Sequence, residues 1–161
     1  MKLIDFYECD DREAILSQLE AMKNEWAAIP LLVSLIRQDT YHATLGNGTL
    51  FVLVDEEHLT NGKPTIASFA NFCDGDEIDT PLCPWIGFVF TAPAYRGHRL
   101  MGQIIEHCMK LAVAAYPKSE YVYISTGETG LYEKYGFEFF QNMESRWNGT
   151  THVYRRKIVR S

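Results

Sequence analysis

A chain of 161 residues, 47% hydrophobic and 22% charged, is long enough to bury one sizeable core and too apolar for wholesale disorder. Its net charge of −6 excludes a grip on nucleic acid through phosphate neutralisation, which needs a basic face; the one basic cluster, Arg155, Arg156, Lys157 and Arg160, reads as the solvated side of a terminal strand. No apolar run approaches the roughly 20 residues that cross a bilayer, and the cysteines at 9, 73, 83 and 108 contain no C-x-x-C pair and follow no apolar leader, so the expectation is one cytoplasmic domain over residues 1–161 with no membrane partner.

Lys2 to Glu8 predicts a short strand. Asp10 or Asp11 then offers an N-cap to a helix with Ile15, Leu19 and Met22 on one side, running to about Trp26. Pro30 can open a second helix, because its missing N–H is an orphan in a first turn, and Leu32, Leu35 and Ile36 give that helix its apolar side until Gly46-Asn47-Gly48. From Thr49 the period falls to two. Leu50, Val52 and Val54 alternate, Asn61-Gly62 marks a turn, and Thr65 to Phe72 returns as the second strand of a hairpin. After the acidic stretch Asp74 to Asp79, Pro84 to Thr91 is the nearly continuous apolar run of a strand covered on both faces.

Residues 98–115 carry Met101, Ile104, Ile105, Cys108, Leu111, Ala112 and Ala115 at helical spacing. Tyr121 to Ile124 reads as a buried strand, so this strand–helix–strand unit implies a parallel crossover. Ser125-Thr126-Gly127-Glu128 has the pattern of a capping box and predicts a short helix over 129–135 that Gly136 ends. Two closing strands, about 137–146 and 150–158, meet at Asn148-Gly149. The order β α α β β β α β α β β describes an α+β fold. Its sheet is mixed and mostly antiparallel, with one central parallel β-α-β crossover, and the helices pack over both faces.

Chemistry concentrates in Thr91-Ala92-Pro93-Ala94-Tyr95-Arg96-Gly97-His98-Arg99-Leu100-Met101-Gly102, between the central strand and the clearest helix. A tight turn there aims free main-chain N–H groups outward at the positive end of the helix dipole, an arrangement that binds phosphate oxygens. Gly97 lets the backbone approach a ligand, and Arg96 and Arg99 can add charge-assisted bonds. Taken alone, the segment also reads as a plain helix start with two solvated arginines. A P-loop is excluded, since no Gly-Lys-Ser/Thr is present, and so is a dinucleotide fingerprint, since no G-x-G-x-x-G follows a strand. His42, His58, His107 and His152 lack metal-ligand spacing, so no metal is expected, and His98 is expected to face solvent.

Taken with Leu131-Tyr132-Glu133-Lys134-Tyr135-Gly136-Phe137, the turn resembles the GNAT superfamily of N-acetyltransferases. Pro93, Tyr95, Arg96, Gly97, Leu100 and Ile104 are in register with the superfamily's acyl-CoA motif, Arg/Gln-x-x-Gly-x-Gly/Ala preceded by Pro-x-Tyr. The second segment looks like the Leu-Tyr-Glu-Lys-x-Gly-Phe around its general-acid tyrosine. Arg99 and Met101 depart from the pattern, standing where the motif glycines usually are, which leaves unusual backbone angles to Gly97 and Gly102. Ser125 stands where many members have an asparagine that bonds the cofactor arm.

The resemblance implies acetyl-CoA as co-substrate. Val89, Phe90 and Thr91 would offer main-chain groups to the pantetheine arm, and Arg96, Gly97, His98, Arg99, Leu100, Met101 and Gly102 would hold the pyrophosphate. Tyr132 would protonate the leaving thiolate, a phenol and a thiol being close enough in pKa for that transfer. No residue stands out as general base: Glu120 lies early in its strand, which leaves a water chain. The acceptor side implied by the fold holds Glu25, Trp26, Asp74, Asp76, Glu77, Asp79, Glu144 and Trp147. An acidic rim with aromatic walls suits a cationic amine, while Asp74 to Asp79 also reads as a solvated hairpin. A monomer or a homodimer fits, and the rival readings are a transferase using a different acyl-CoA and a non-catalytic CoA-binding regulator.

Overall fold

The computed structural model describes residues 1–160. Strand β1 (Lys2–Asp5) leads to helices α1 (Arg12–Ala21), α2 (Ala28–Arg37) and α3 (Tyr41–Leu45). The hairpin β2 (Gly48–Thr60) and β3 (Lys63–Cys73) follows, and then β4 (Trp85–Thr91), α4 (Leu100–Ala115) and β5 (Tyr121–Thr126). Strands β6 (Glu138–Ser145) and β7 (Gly149–Lys157) close the chain. All seven strands form one sheet in the order β1-β2-β3-β4-β5-β7-β6. Every neighbouring pair is antiparallel except β4 and β5, which flank α4 and run parallel. The mixed α+β sheet with a central crossover is therefore present.

Both faces of the sheet are covered, as the near-continuous apolar run of β4 requires. Alternation in β2 divides the core: Phe51 and Leu53 join Leu100, Met101, Ile104, Ile105 and Cys108 of α4, whereas Leu50, Val52 and Val54 join Ile15, Leu19, Ile29 and Leu32 of α1 and α2. A third cluster, Ile78, Trp85, Tyr123 and Val153, has no α-helix over it. No helix of the described residues is long and apolar enough to cross a membrane.

Four expectations about elements are corrected. Helix α1 ends at Ala21 rather than near Trp26, because Lys23, Asn24 and Glu25 are exposed and bring no apolar face to bury; the turn frees Trp26 to lie on the sheet. Helix α2 begins at Ala28, two residues before Pro30, whose missing N–H is still one of the four orphans of a first turn. A further short helix, α3, occupies Tyr41–Leu45 before Gly46. No α-helix forms over 129–135, where only a 3₁₀ turn, Glu133–Tyr135, is present. The Thr126 hydroxyl oxygen accepts the N–H of Glu128 at 3.0 Å, closing a local turn instead of a capping box, and Gly130 is at φ +81°. Gly130 in the first turn of so short a segment, with Gly136 directly after it, leaves a helix nucleus little to propagate.

Candidate active site

Strands β4 and β5 pair only at Trp85↔Tyr123 and Ile86↔Ile124 and then separate. Beyond that point β5 stays with β7, through Ser125↔Val153 and Thr126↔His152, while β4 stays with β3. The bend arises in β4. Phe88 takes φ +50°, a conformation rare for a bulky residue, and the β3–β4 register shifts between Phe69 and Asn71. Such a bulge increases local twist and turns the strand away from its neighbour. It leaves a wedge-shaped gap in the middle of the sheet.

Past the bulge, the Ala92 N–H bonds the Ala67 carbonyl at 2.8 Å, and the Phe90 carbonyl accepts the Ser68 hydroxyl at 2.9 Å. By strand alternation, the main-chain groups of Val89 and Thr91 then face the gap, whereas those of Phe90 face β3. The Thr91 carbonyl already accepts Arg96 Nε at 3.0 Å, and the Arg96 guanidinium lies 5.6 Å from the centroid of the Phe90 ring. Arg96 thus fastens the turn to the end of β4. Tyr95 fastens it to β2 through a 2.8 Å bond to Asp55.

The turn delivers the start of α4 at the mouth of the gap. Arg96, Gly97, His98 and Arg99 are exposed, whereas the side chains of Leu100 and Met101 are buried, which leaves those two only their main chain to offer a ligand. No side chain caps α4, so its first N–H groups stay free for an anion. Gly97 has φ +86°. The second unusual angle falls on Arg99, at φ +55°, and not on Gly102, which is ordinary helix with Tyr135 packed against it. An open cleft of about 580 Å³ runs beside this helix start, lined by Arg99, Gly102, Gln103, Lys134, Tyr135 and Arg156 among others. Arg156 is engaged by Glu106 and by the Tyr135 carbonyl, which leaves Arg99 and Lys134 as the cations without a salt bridge there among the described residues.

Tyr132 sits immediately before the 3₁₀ turn, 6% exposed, in the core on the α4 face, with its ring edge-on to Phe137 at 6.2 Å. Burial first, then the charges of Glu128, Tyr135 and Asp76, push its phenol well above the ordinary value, so it is protonated across the working range. Ser125 alternates with Ile124, and its hydroxyl donates to Glu77 at 2.6 Å and to Asp76 at 3.3 Å. It belongs to the opposite face of the sheet and is engaged by carboxylates.

That opposite face has aromatic walls. Trp26 stacks on Phe90 with centroids 5.7 Å apart and stands 6.4 Å from Phe88, which meets Trp147 at 5.9 Å. The acidic stretch is no solvated hairpin. Asp74 accepts the Asn47 N–H at 2.9 Å and the Tyr116 hydroxyl at 2.8 Å; Asp76 is buried; of the four acids only Asp79 is exposed. Glu120 stands at the other end of β5, away from the gap, where its carbonyl accepts the Ile158 N–H. No group of three or more His, Cys, Asp or Glu among the described residues is placed to hold a metal. Lys134, Gln103 and the burial of Asp76 were missed in the sequence; Gly87, a glycine within the apolar run of β4, was the signal that something approaches that strand closely.

The Acetyltransferase (GNAT) family model matches residues 13–137. A sequence search against curated proteins gives no match. Among solved structures, an aminoglycoside 6'-N-acetyltransferase complexed with coenzyme A superposes with a TM-score of 0.66 at 10% identity, covering 100% of this chain and 99% of that one. An acetyltransferase of the GNAT family from Staphylococcus aureus Mu50 gives 0.62 at 13% identity, over 98% and 99% of the two chains. The Salmonella typhimurium enzyme that modifies the N-terminal serine of ribosomal protein L7/L12 gives 0.63 at 14%, over 98% and 94%. At these identities the superpositions bear on the fold.

Proposed function

The chain belongs to the GNAT acetyltransferase family, and from that premise we propose that it moves an acetyl group from acetyl-CoA to a primary amine by direct attack, as one domain. The gap between β4 and β5 supports the reading, because the uncapped start of α4 follows the end of β4 there, the β4 edge beyond Ile86 has no strand partner, and the buried phenol of Tyr132 lies in the core on the α4 face. The free N–H groups of α4 and the side chains of Arg99 and Lys134 receive the phosphates. The main-chain groups of Val89 and Thr91 pair with the amide-bearing arm, which fills the wedge as an added strand and brings the thioester toward Tyr132. No helix lies over the third apolar cluster, and the aromatic walls around Phe88 leave the acceptor its approach from the other face. A cationic amine suits those walls through ring quadrupoles and the nearby carboxylates.

In the chemical step the amine nitrogen bonds the thioester carbon, the C–S bond breaks, Tyr132 gives its proton to the sulfur, and the proton the nitrogen loses restores the phenol. Acetyl-CoA binding by calorimetry, followed by thiol release over a panel of aliphatic amines, tests the proposal. Heat and amine-dependent thiol release are expected. Heat without release from any amine would mark a CoA-binding regulator, and no heat with either acetyl-CoA or free CoA would defeat both readings.

Gly97→Val is expected to act on cofactor binding. A Cβ at Gly97 meets nothing within 4 Å, so its penalty comes from φ +86° rather than from a collision. A left-handed angle costs an L-residue roughly 1–2 kcal/mol, which predicts an acetyl-CoA Kd raised by about 5- to 30-fold as the turn relaxes. Calorimetry on the variant reads this, and an unchanged Kd would detach the turn from the cofactor.

A further inference from the structure

Acetyl transfer as described leaves one buried carboxylate without a role. Asp76, 4% exposed, lies in the connection between β3 and β4, and Ser125 of β5 donates to its Oδ2 at 3.3 Å. Its Oδ1 occupies the space over Gly87, where an added Cβ would come within 2.1 Å of that oxygen. Gly87 is the first residue of β4 beyond the last β4–β5 pair. The carboxylate is therefore seated where the strands part, on the sheet face away from α4.

Holding the fold together does not account for this placement. Other atoms fasten the connection: the Arg146 guanidinium bonds the main-chain carbonyl of Asp76, the Arg146 N–H bonds the Glu77 carbonyl at 2.7 Å, and the shorter bond from Ser125 goes to Glu77. Among the described residues no cation forms a salt bridge with the Asp76 carboxylate. An unpaired carboxylate buried beside a second acid is destabilising, and groups kept in that condition cluster at functional sites.

Burial first and the Glu77 charge second raise the Asp76 pKa to about 7, against the opposing Glu77 N–H, Ser125 hydroxyl and Arg146 charge. From the other elements Cys73, Tyr41 and, across the sheet, Tyr132 feel its charge, all with raised pKa values and neutral at that pH.

We propose that Asp76 is the catalytic base that takes the proton from the acceptor's ammonium group, on the sheet face opposite the acid Tyr132. The assignment rests on the acetyl-transfer reading above. The ammonium gives one proton to Asp76, which passes it to solvent, and the freed lone pair forms the C–N bond. When the tetrahedral adduct collapses, the C–S bond breaks, sulfur takes the Tyr132 proton, and the second nitrogen proton restores the phenol. Amide, thiol and one released proton balance the ammonium and thioester consumed. A base with a pKa near neutrality is half ionised where it works and can both take and return a proton.

The test compares wild type and Asp76→Asn with two acceptors, the fastest aliphatic amine of the panel and methoxyamine, which is neutral at pH 7. With the aliphatic amine, the variant's kcat/KM is expected to fall about 10²-fold and to lose the rise through pH 7 that wild type shows as Asp76 ionises. With methoxyamine the loss is expected to stay within a few-fold, a difference that a purely structural role would not produce.

Folding is checked by melting. The folded-state pKa lies above the unfolded 3.8, so stability falls as pH climbs from there through about 7; Asn removes that fall, and the variant is expected to melt at or above wild type at pH 8. Full turnover in the variant, or an equal loss with both acceptors, overturns the assignment and leaves acetyl transfer standing. A wild type that neither binds acetyl-CoA nor releases thiol removes the premise and the assignment together.

Discussion

Replacing Tyr132 with Phe is expected to lower kcat and kcat/KM together by about 10²-fold while leaving the acetyl-CoA Kd within about twofold, because the hydroxyl is needed only as charge builds on sulfur. General acids contribute 10²- to 10⁴-fold in rate, and the lower end is expected here. Burial raises the phenol well above its ordinary value, which makes it a weaker donor to a thiolate than a free phenol is. The same shift fixes the pH dependence: the donor stays protonated throughout the working range, so the wild-type profile has no falling limb from Tyr132. Thiol-release kinetics with matched calorimetry decide the matter. Full turnover in the Phe variant would pass the role to water.

The largest expected loss of stability follows from Gly48→Ala. Gly48 opens β2 at φ +144°, and a Cβ there would stand 2.2 Å from the Phe72 carbonyl oxygen and 2.6 Å from Cys73 Cα. Both are main-chain atoms of the partner strand, which cannot swing aside as a side chain can. Overpacking by one methyl typically costs 1–3 kcal/mol, and backbone strain adds a similar amount, so a loss of about 3–5 kcal/mol is expected. For a chain of this size that lowers Tm by roughly 6–20 °C. Thermal melting followed by circular dichroism measures it, and a drop under about 2 °C would show that the hairpin yields there.

The central elements were legible because their residues repeat the right periods. Helix α4 shows its buried stripe from Met101 to Ala112, and β4 its unbroken apolar run, so the parallel crossover follows from order alone. The gap beside that crossover has no mark in the periodicity. Its local cause, Phe88 at φ +50°, is a tertiary effect that no propensity announces in a phenylalanine. Arg99 shows the same limit from the other side: the backbone keeps the left-handed angle that suits a glycine even though the residue is an arginine, so the angle passed to position 99 and not to Gly102. Ser125 to Glu128 misled because a capping box and a two-residue hydroxyl turn share a pattern, and only Gly130 just beyond it separates them.

The acidic stretch, open in sequence to an acidic rim or a solvated hairpin, is where composition says least. Asp74, Asp76, Glu77 and Asp79 look alike in sequence, yet one anchors the loop, one is buried, one bonds β5 and one is solvated. Burial of an acid leaves no mark in composition. Its trace here lies on the partner strand, where Gly87 replaces a side chain that β4 would otherwise carry.

Transfer itself is the most direct test of the account. Wild-type protein is incubated at pH 8 with acetyl-CoA labelled with ¹³C in the acetyl group and with the fastest amine of the panel, and the products are read by mass spectrometry. The account predicts that the label appears in an amide of that amine in step with free CoA, and that Tyr132→Phe slows both signals equally. Release of CoA with the label recovered only as acetate, or no release at all, would contradict it.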